Sequence, residues 1–271
     1  MAASADTPGE LWRAAADLDP ARPFATAYDE DTGGRVELSY ATFDNWVAKT
    51  ANMIVDGLGA EPGERVALAL PVHWQSLVWL LACWSTGMTV VPVTGAEVPD
   101  DAGDIVVADA SRIDAALDSG AREVVGASLH PLGAPLASCP PAALDYAVEV
   151  RGYGDRFTPM ARVDPAAAAL DGDARFSGSD LVARAREKAK GWELTSADRV
   201  AMITSAADSL SVLGADLSCF LAPVAAAVPL VLTPSTGAAD LRSRLGMERV
   251  TAIIGARPGT PMPTGDIRLL H

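Results

Sequence analysis

Between Leu38 and Gly95 the hydrophobic period of the chain changes in a fixed order: helix, Pro-Gly turn, strand, helix, strand. From Ser39 or Tyr40 onward, Phe43, Trp46, Val47, Ala51, Ile54, Val55 and Leu58 recur at helical spacing, and Gly59 closes the helix as a C-cap would. Val66–Leu70 is an uninterrupted apolar run. A strand can be apolar at every position only when both faces of its sheet are covered, which is the condition of a central parallel strand. Leu77–Val93 is apolar over nearly the length of a membrane span. Gly87 and Pro92 break it, however, and β-branched residues crowd its second half, so a buried helix running into a buried strand is predicted.

The same order returns later in the chain. Leu181–Trp192 reads as a helix, and Leu194–Met202 parallels Ala60–Leu68. Leu221–Val231 then parallels Leu81–Val91, with an intervening loop six residues longer. Each copy is a helix–strand–helix–strand unit, so the pattern predicts a duplicated supersecondary piece and not a solenoid.

Around these units, residues 10–19 predict a short helix started by Thr7-Pro8. Phe24–Tyr28 and Arg35–Leu38 predict two strands about the turn Asp31–Gly34. Asp104–Ala108, Ser111–Asp118 and Glu123–Gly126 predict a strand, a helix and a strand that lengthen the first parallel sheet. Leu241–Leu245 and Val250–Gly255 add one more helix and strand, and Arg257–Gly265 reads as coil. The predicted organisation is a first α/β subdomain over 1–128, a Pro/Gly/Ala-rich linker or irregular layer over 129–165, and a second α/β subdomain over 166–271.

The chain is 49% hydrophobic over 271 residues, enough for a sizeable core. A formal charge of −14 argues against nucleic acid or an anionic membrane as partner, because both need basic patches. Cys83, Cys139 and Cys219 are too few and too scattered for a disulfide framework or a metal site. The opening MAASADTPGELWRAA has neither the basic region nor the apolar core of a signal peptide, so a cytoplasmic protein is expected.

Leu38-Ser39-Tyr40-Ala41, Pro62-Gly63-Glu64-Arg65-Val66-Ala67-Leu68 and Gly87-Met88-Thr89-Val90-Val91-Pro92 follow one another in an order that resembles the opening of the adenylate-forming enzymes. That superfamily holds acyl-CoA synthetases, aryl ligases, peptide-synthetase adenylation domains and luciferases. The resemblance implies a large domain of two similar α/β subdomains with mostly parallel sheets flanked by helices, which agrees with the duplication. It covers the first part of that domain only.

The resemblance also implies a Gly/Ser/Thr-rich loop, roughly YTSGTTGxPKG, whose N–H groups and Lys hold the ATP phosphates. It belongs just before the helix near Leu181. The local sequence, Val163–Asp180, has no Thr-Thr-Gly and no Lys, and it carries Asp171, Asp173 and Asp180. Ser177-Gly178-Ser179 is a weak echo, and Ser179 or Asp180 reads as the N-cap of the next helix. Lysine is scarce throughout: Lys49, Lys188 and Lys190 against 18 Arg. The family's aromatic-His pair has no counterpart in Thr204–Leu210. Its adenine-binding stretch, Tyr-x-Thr-Gly-Asp stretch and C-terminal domain with a catalytic Lys find no match before His271. Pro263-Thr264-Gly265-Asp266 and Arg151-Gly152-Tyr153-Gly154 fall out of order and read as turns.

Other chemistry is sparse. His73, His130 and His271 lack ligand-type spacing, and neither a GxSxG nor a Walker motif is present. Trp74, Trp79 and Trp84 recur every five residues and are expected in the core. No catalytic residue and no metal ligand is assigned. Ligands of open α/β sheets bind at the carboxyl ends of the strands. Residues 71–75, 92–95 and 204–209 would line such a crevice, with His73, Thr94, Thr204, Ser205, Asp208 and Ser209 as its polar candidates.

The expectation is therefore an adenylate-forming-like protein that does not itself adenylate and serves as a small-molecule, nucleotide-binding or interaction module. The alternative is an acyl- or aryl-acid ligase, alone or completed by a partner chain. ATP, AMP or CoA enters only through the resemblance. An apolar flank, covered in the family by the rest of the large domain, would call for a second copy or a protein partner.

Overall fold

Ser39 ends one element and starts the next. In the computed structural model, which describes residues 5–30, 32–205, 208–235, 237–255 and 267–271, its hydroxyl accepts the N–H of Thr42 at 3.1 Å. Ahead of it lie α1 (Pro8–Ala16), capped by Thr7, and an antiparallel hairpin of β1 (Pro23–Tyr28) and β2 (Arg35–Ser39). After it come α2 (Tyr40–Asn52), β3 (Arg65–Ala69), α3 (Trp74–Thr86) and β4 (Thr89–Pro92). A π-helical turn, Met53–Gly57, prolongs α2, and Gly59 at φ +59° follows it. β5 (Ile105–Asp109), α4 (Ile113–Asp118) and β6 (Glu123–Ala127) extend the sheet in parallel. The irregular stretch after them carries the short β7 (Leu144–Asp145) and α5 (Tyr146–Glu149).

Ser177 then repeats the part of Ser39. The hairpin of β8 (Ala168–Asp171) and β9 (Arg175–Ser177) leads into α6 (Gly178–Gly191), β10 (Val200–Thr204), α7 (Ser218–Ala225) and β11 (Leu230–Pro234). α8 (Ala238–Met247), β12 (Ala252–Ile254) and β13 (Arg268–Leu270) complete the set. Arg65 lies opposite Thr89, and Val200 opposite Leu230 six residues farther along, so the duplication read from the sequence is present in the strand register.

The N-cap of α6 differs from expectation. Ser177 holds that place, not Ser179 or Asp180, because Asp180 is the third residue of a capping box. Its carboxylate accepts the N–H of Ser177 at 3.1 Å while Ser177 Oγ accepts the N–H of Asp180. β13 is a strand that the sequence did not announce; three residues are too few for a periodic signal. The coil expected over Arg257–Gly265 and the Pro263–Asp266 tetrapeptide lie outside the described residues.

The two sheets are not assembled in sequence order. One runs β7-β6-β5-β3-β4-β8-β9, and the other, among the described residues, runs β13-β12-β10-β11-β1-β2. The first hairpin thus joins the second unit's last strand, Ala25 opposite Leu230, and the second hairpin joins the first unit's last strand, Val90 opposite Leu170. Each unit completes the other's sheet.

Alternate residues of β3 explain why its sequence is apolar from Val66 onward. Val66 and Leu68 join Val200, Met202, Leu230 and Leu232 in one core between the sheets, together with helices α1, α2, α3, α6 and α7. Ala67 and Ala69 pack on the other face with Val106 and Ile113 beneath α4. On the outer face of the second sheet, Ala201 and Val231 pack with Leu241 and Leu245 of α8. The result is five layers, helix–sheet–helices–sheet–helix. Trp74, Trp79 and Trp84 are all buried in the middle layer, and Trp84 Nε1 donates to the carbonyl of Ala169 at 2.9 Å. Among the described residues no helix is long and apolar enough to cross a membrane.

Candidate functional site

The carboxyl ends of the two sheets meet where the chain leaves β3. Pro71 forms an antiparallel bridge with Ser209, and the N–H of Val72 donates to the carbonyl of Asp208 at 3.2 Å. Asp208 in turn donates its N–H to the carbonyl of Ser205 at 2.9 Å. Ser209 caps the short 3₁₀ turn Leu210–Leu213, and its hydroxyl shares a 2.7 Å hydrogen bond with that of Ser211. A cavity of about 140 Å³ opens here, at the ends of β10 and β12. Val72, Met202, Leu213 and Ile254 make it apolar, and Thr204 and Asp208 supply polar groups.

His73 stands at the start of α3. Its Nδ1 accepts the N–H of Gln75 at 3.2 Å, so the imidazole is the helix N-cap. Burial pushes its pKa down to about 4, against a smaller upward pull from the Asp29 carboxylate. The ring is neutral at ordinary pH: Nδ1 is taken by Gln75, and the proton sits on Nε2, which is a donor.

Of the six polar candidates, His73, Thr204, Ser205, Asp208 and Ser209 come together at this junction. Thr94 does not. It lines a second hollow of about 300 Å³ with Arg65, Pro92, Asp171 and Ser211. The 3₁₀ turn divides the two, Val212 and Leu213 facing the first and Ser211 and Gly214 the second. Val212, Leu213 and Ile254 were not among the sequence candidates. Their apolar character reads as core; the 3₁₀ turn carries Val212 and Leu213 to the crevice, and Ile254 ends β12 beside it.

The second hollow includes the place where the resemblance puts the phosphate loop. Between β8 and β9 the chain has three residues, Gly172-Asp173-Ala174, and Gly172 donates its N–H to the carbonyl of Ala174 at 3.2 Å. The Asp171 carboxylate lies 3.7 Å from Arg65 and 3.8 Å from Arg175. A tight acidic turn stands here, with its nearest cations already facing a carboxylate. Among the described residues no group of His, Cys, Asp and Glu is arranged to hold a metal ion.

Comparison with known proteins agrees with this architecture. The model of the family described as AMP-binding enzyme matches residues 12–113. The Brucella canis acyl-CoA synthetase superposes with a TM-score of 0.70 at 18% identity, over 91% of this chain and 47% of that one. The Mycobacterium tuberculosis fatty acyl CoA synthetase gives 0.71 at 17%, over 92% and 49%. The N-terminal domain of FACL13, also from Mycobacterium tuberculosis, gives 0.69 at 16%, over 91% and 62%. The chain thus spans about half the length of the whole synthetases it matches, and at these identities the likeness shows the fold alone. A curated relative in Mycobacterium tuberculosis (strain ATCC 25618 / H37Rv), named TIGR03089 family protein, is 34% identical over 241 residues, covering 87% of this chain and 93% of its own. The chain belongs to the TIGR03089 family and carries the fold of the N-terminal domain of acyl-CoA synthetases.

Proposed function

We propose that this chain is a small-molecule-binding member of its family that does not itself form an acyl-adenylate. The observation that carries this reading is the β8–β9 turn. A triphosphate needs a run of free N–H groups and a cation to disperse its charge, and loss of one such donor costs a transition state several kcal/mol. Here the turn is three residues long and flanked by Asp171, with Asp173 within it. Carboxylates at this position repel phosphate.

The crevice at the ends of β10 and β12 supports binding. Its volume of about 140 Å³ suits a compact, largely apolar group, about the size of a benzene ring. Asp208 at its wall favours a ligand without an anionic end there.

ATP–pyrophosphate exchange across a panel of fatty and aryl acids tests the first half of the proposal, and no exchange is expected. Clear turnover would establish the ligase reading instead. Thermal shift with AMP, ATP, CoA and acyl-adenylate analogues, and with compact apolar amines and alcohols, tests the second half. Binding to the native state must raise its melting temperature. No shift with any of them at millimolar concentration counts against a ligand in this crevice.

A further inference from the structure

The crevice at the ends of β10 and β12 has a mouth and a floor, and the strand register tells them apart. Val72, Met202, Leu213 and Ile254 all belong to the core between the two sheets, so the crevice opens on the inner face of the second sheet. Thr204 and Asp208 are half-buried and Val212 is 41% exposed, which puts the mouth beside these three.

Met202 lies opposite Ile254 in the ladder, and theirs is the deepest rung that reaches the crevice. The next rung on the same face, Val200 opposite Ala252, lies about 7 Å nearer the start of the strands. Both of its residues are fully buried, and neither lines the crevice. The floor is therefore Met202 and Ile254, closed over Val200 and Ala252. The two floor residues are not equivalent. Ile254 is β-branched, stiff and the last residue of its strand. Met202 is unbranched, reaches farther, and stands between β11 and β12. With a small alanine in the rung beneath, the methionine is what stops the crevice from continuing inward.

We propose that Met202 sets the depth of the crevice, and that its ligand is a neutral ring alcohol of the phenol class, with the hydroxyl at Thr204 and Asp208 and little or no substituent opposite. This rests on the crevice being a ligand site. A volume of about 140 Å³ holds one ring. A phenol is uncharged at neutral pH and brings the donor that a carboxylate accepts. A longer body meets Met202.

Calorimetric titration of the full chain with phenol and its para-alkyl derivatives, methyl to pentyl, tests this. In the parent chain, affinity should fall once the substituent exceeds about one carbon. Met202→Ala frees the length of about three carbons, so affinity should instead climb about fourfold for each carbon added up to propyl. If that variant does not fold, Met202→Val takes its place, with the optimum moved by about one carbon. Val231→Ala, an equally buried truncation on the outer face of the same sheet, should leave the optimum where it stands. Binding to the parent with the same optimum in the Met202 variants overturns the role of Met202 and leaves the ligand site standing. No binding of any phenol to parent or variants overturns both.

Discussion

His73 Nδ1 accepts the N–H of Gln75, which ties the first turn of α3 to the protonation state of one imidazole. Protonation would replace the acceptor with a donor and set a positive charge at the positive end of the helix dipole. The folded pKa of about 4 lies below the ordinary 6.5, so the unfolded chain takes up this proton first. The stabilisation is complete above about pH 6.5 and is lost as pH falls toward 4. Urea midpoints measured from pH 7.5 to pH 4 should fall through that window in the parent chain. His73→Asn caps without titrating, and should flatten the slope. An unchanged slope would remove His73 from the account.

Glu248 joins three elements. It accepts Tyr28 Oη and Arg35 Nε, each at 2.7 Å, and lies 2.9 Å from Arg199 Nη2. Burial by itself raises its carboxyl pKa, but the bonds from Arg35 and Tyr28 and the charge of Arg199 outweigh burial and hold it below the usual carboxylate range. Glu248→Ala leaves the Tyr28 phenol without its acceptor and leaves Arg35 and Arg199 to share Glu37, which lies 2.6 Å from the one and 3.5 Å from the other. The expected loss is about 1–2 kcal/mol, less than for a fully enclosed pair because Glu37 remains and Arg35 reaches water. Chemical denaturation measures it. A loss below about 0.5 kcal/mol would mean that water replaces the carboxylate.

The parts legible in the sequence were those whose physics is local. Val66–Leu70 announced a strand covered on both faces, and the Trp74–Trp84 helix announced its own burial. Which strands pair across the chain was not legible. Nothing within Pro23–Tyr28 says that it lies against Leu230, because each backbone edge can pair with any other of the right direction. The site was half legible for the same reason. His73 and Asp208 were placed at strand ends by local pattern, whereas the separation of Thr94 depends on the path of Leu210–Leu213 between the sheets.

Gly103 packs against main chain. A Cβ there would lie 2.8 Å from the carbonyl oxygen of Arg65 and 2.9 Å from the nitrogen of Ala67. Neither atom can withdraw without parting β3 from β5, which pair at Val66 and Ile105. Gly103→Ala should cost about 1–3 kcal/mol as overpacking. Gly152→Ala is the control, since nothing lies within 4 Å of its Cβ position, and should stay within about 0.5 kcal/mol of the parent. Equal melting temperatures for the two variants would contradict the close approach.

The reciprocal placement of the hairpins predicts that neither half of the chain folds alone. A break near Pro165 leaves β4 without β8 in one piece and β11 without β1 in the other. Each piece then carries an open parallel edge and an uncovered share of the middle layer, both of which favour aggregation. Expressed separately, residues 1–165 and 166–271 should be insoluble or bind a hydrophobic dye without a cooperative transition. Expressed together, they should assemble one-to-one with the far-ultraviolet spectrum of the intact chain. The melting temperature of the assembly should rise with concentration, because joining the pieces is now bimolecular. Either piece unfolding cooperatively on its own would show that the exchanged hairpins are accessory to the sheets and not part of their core.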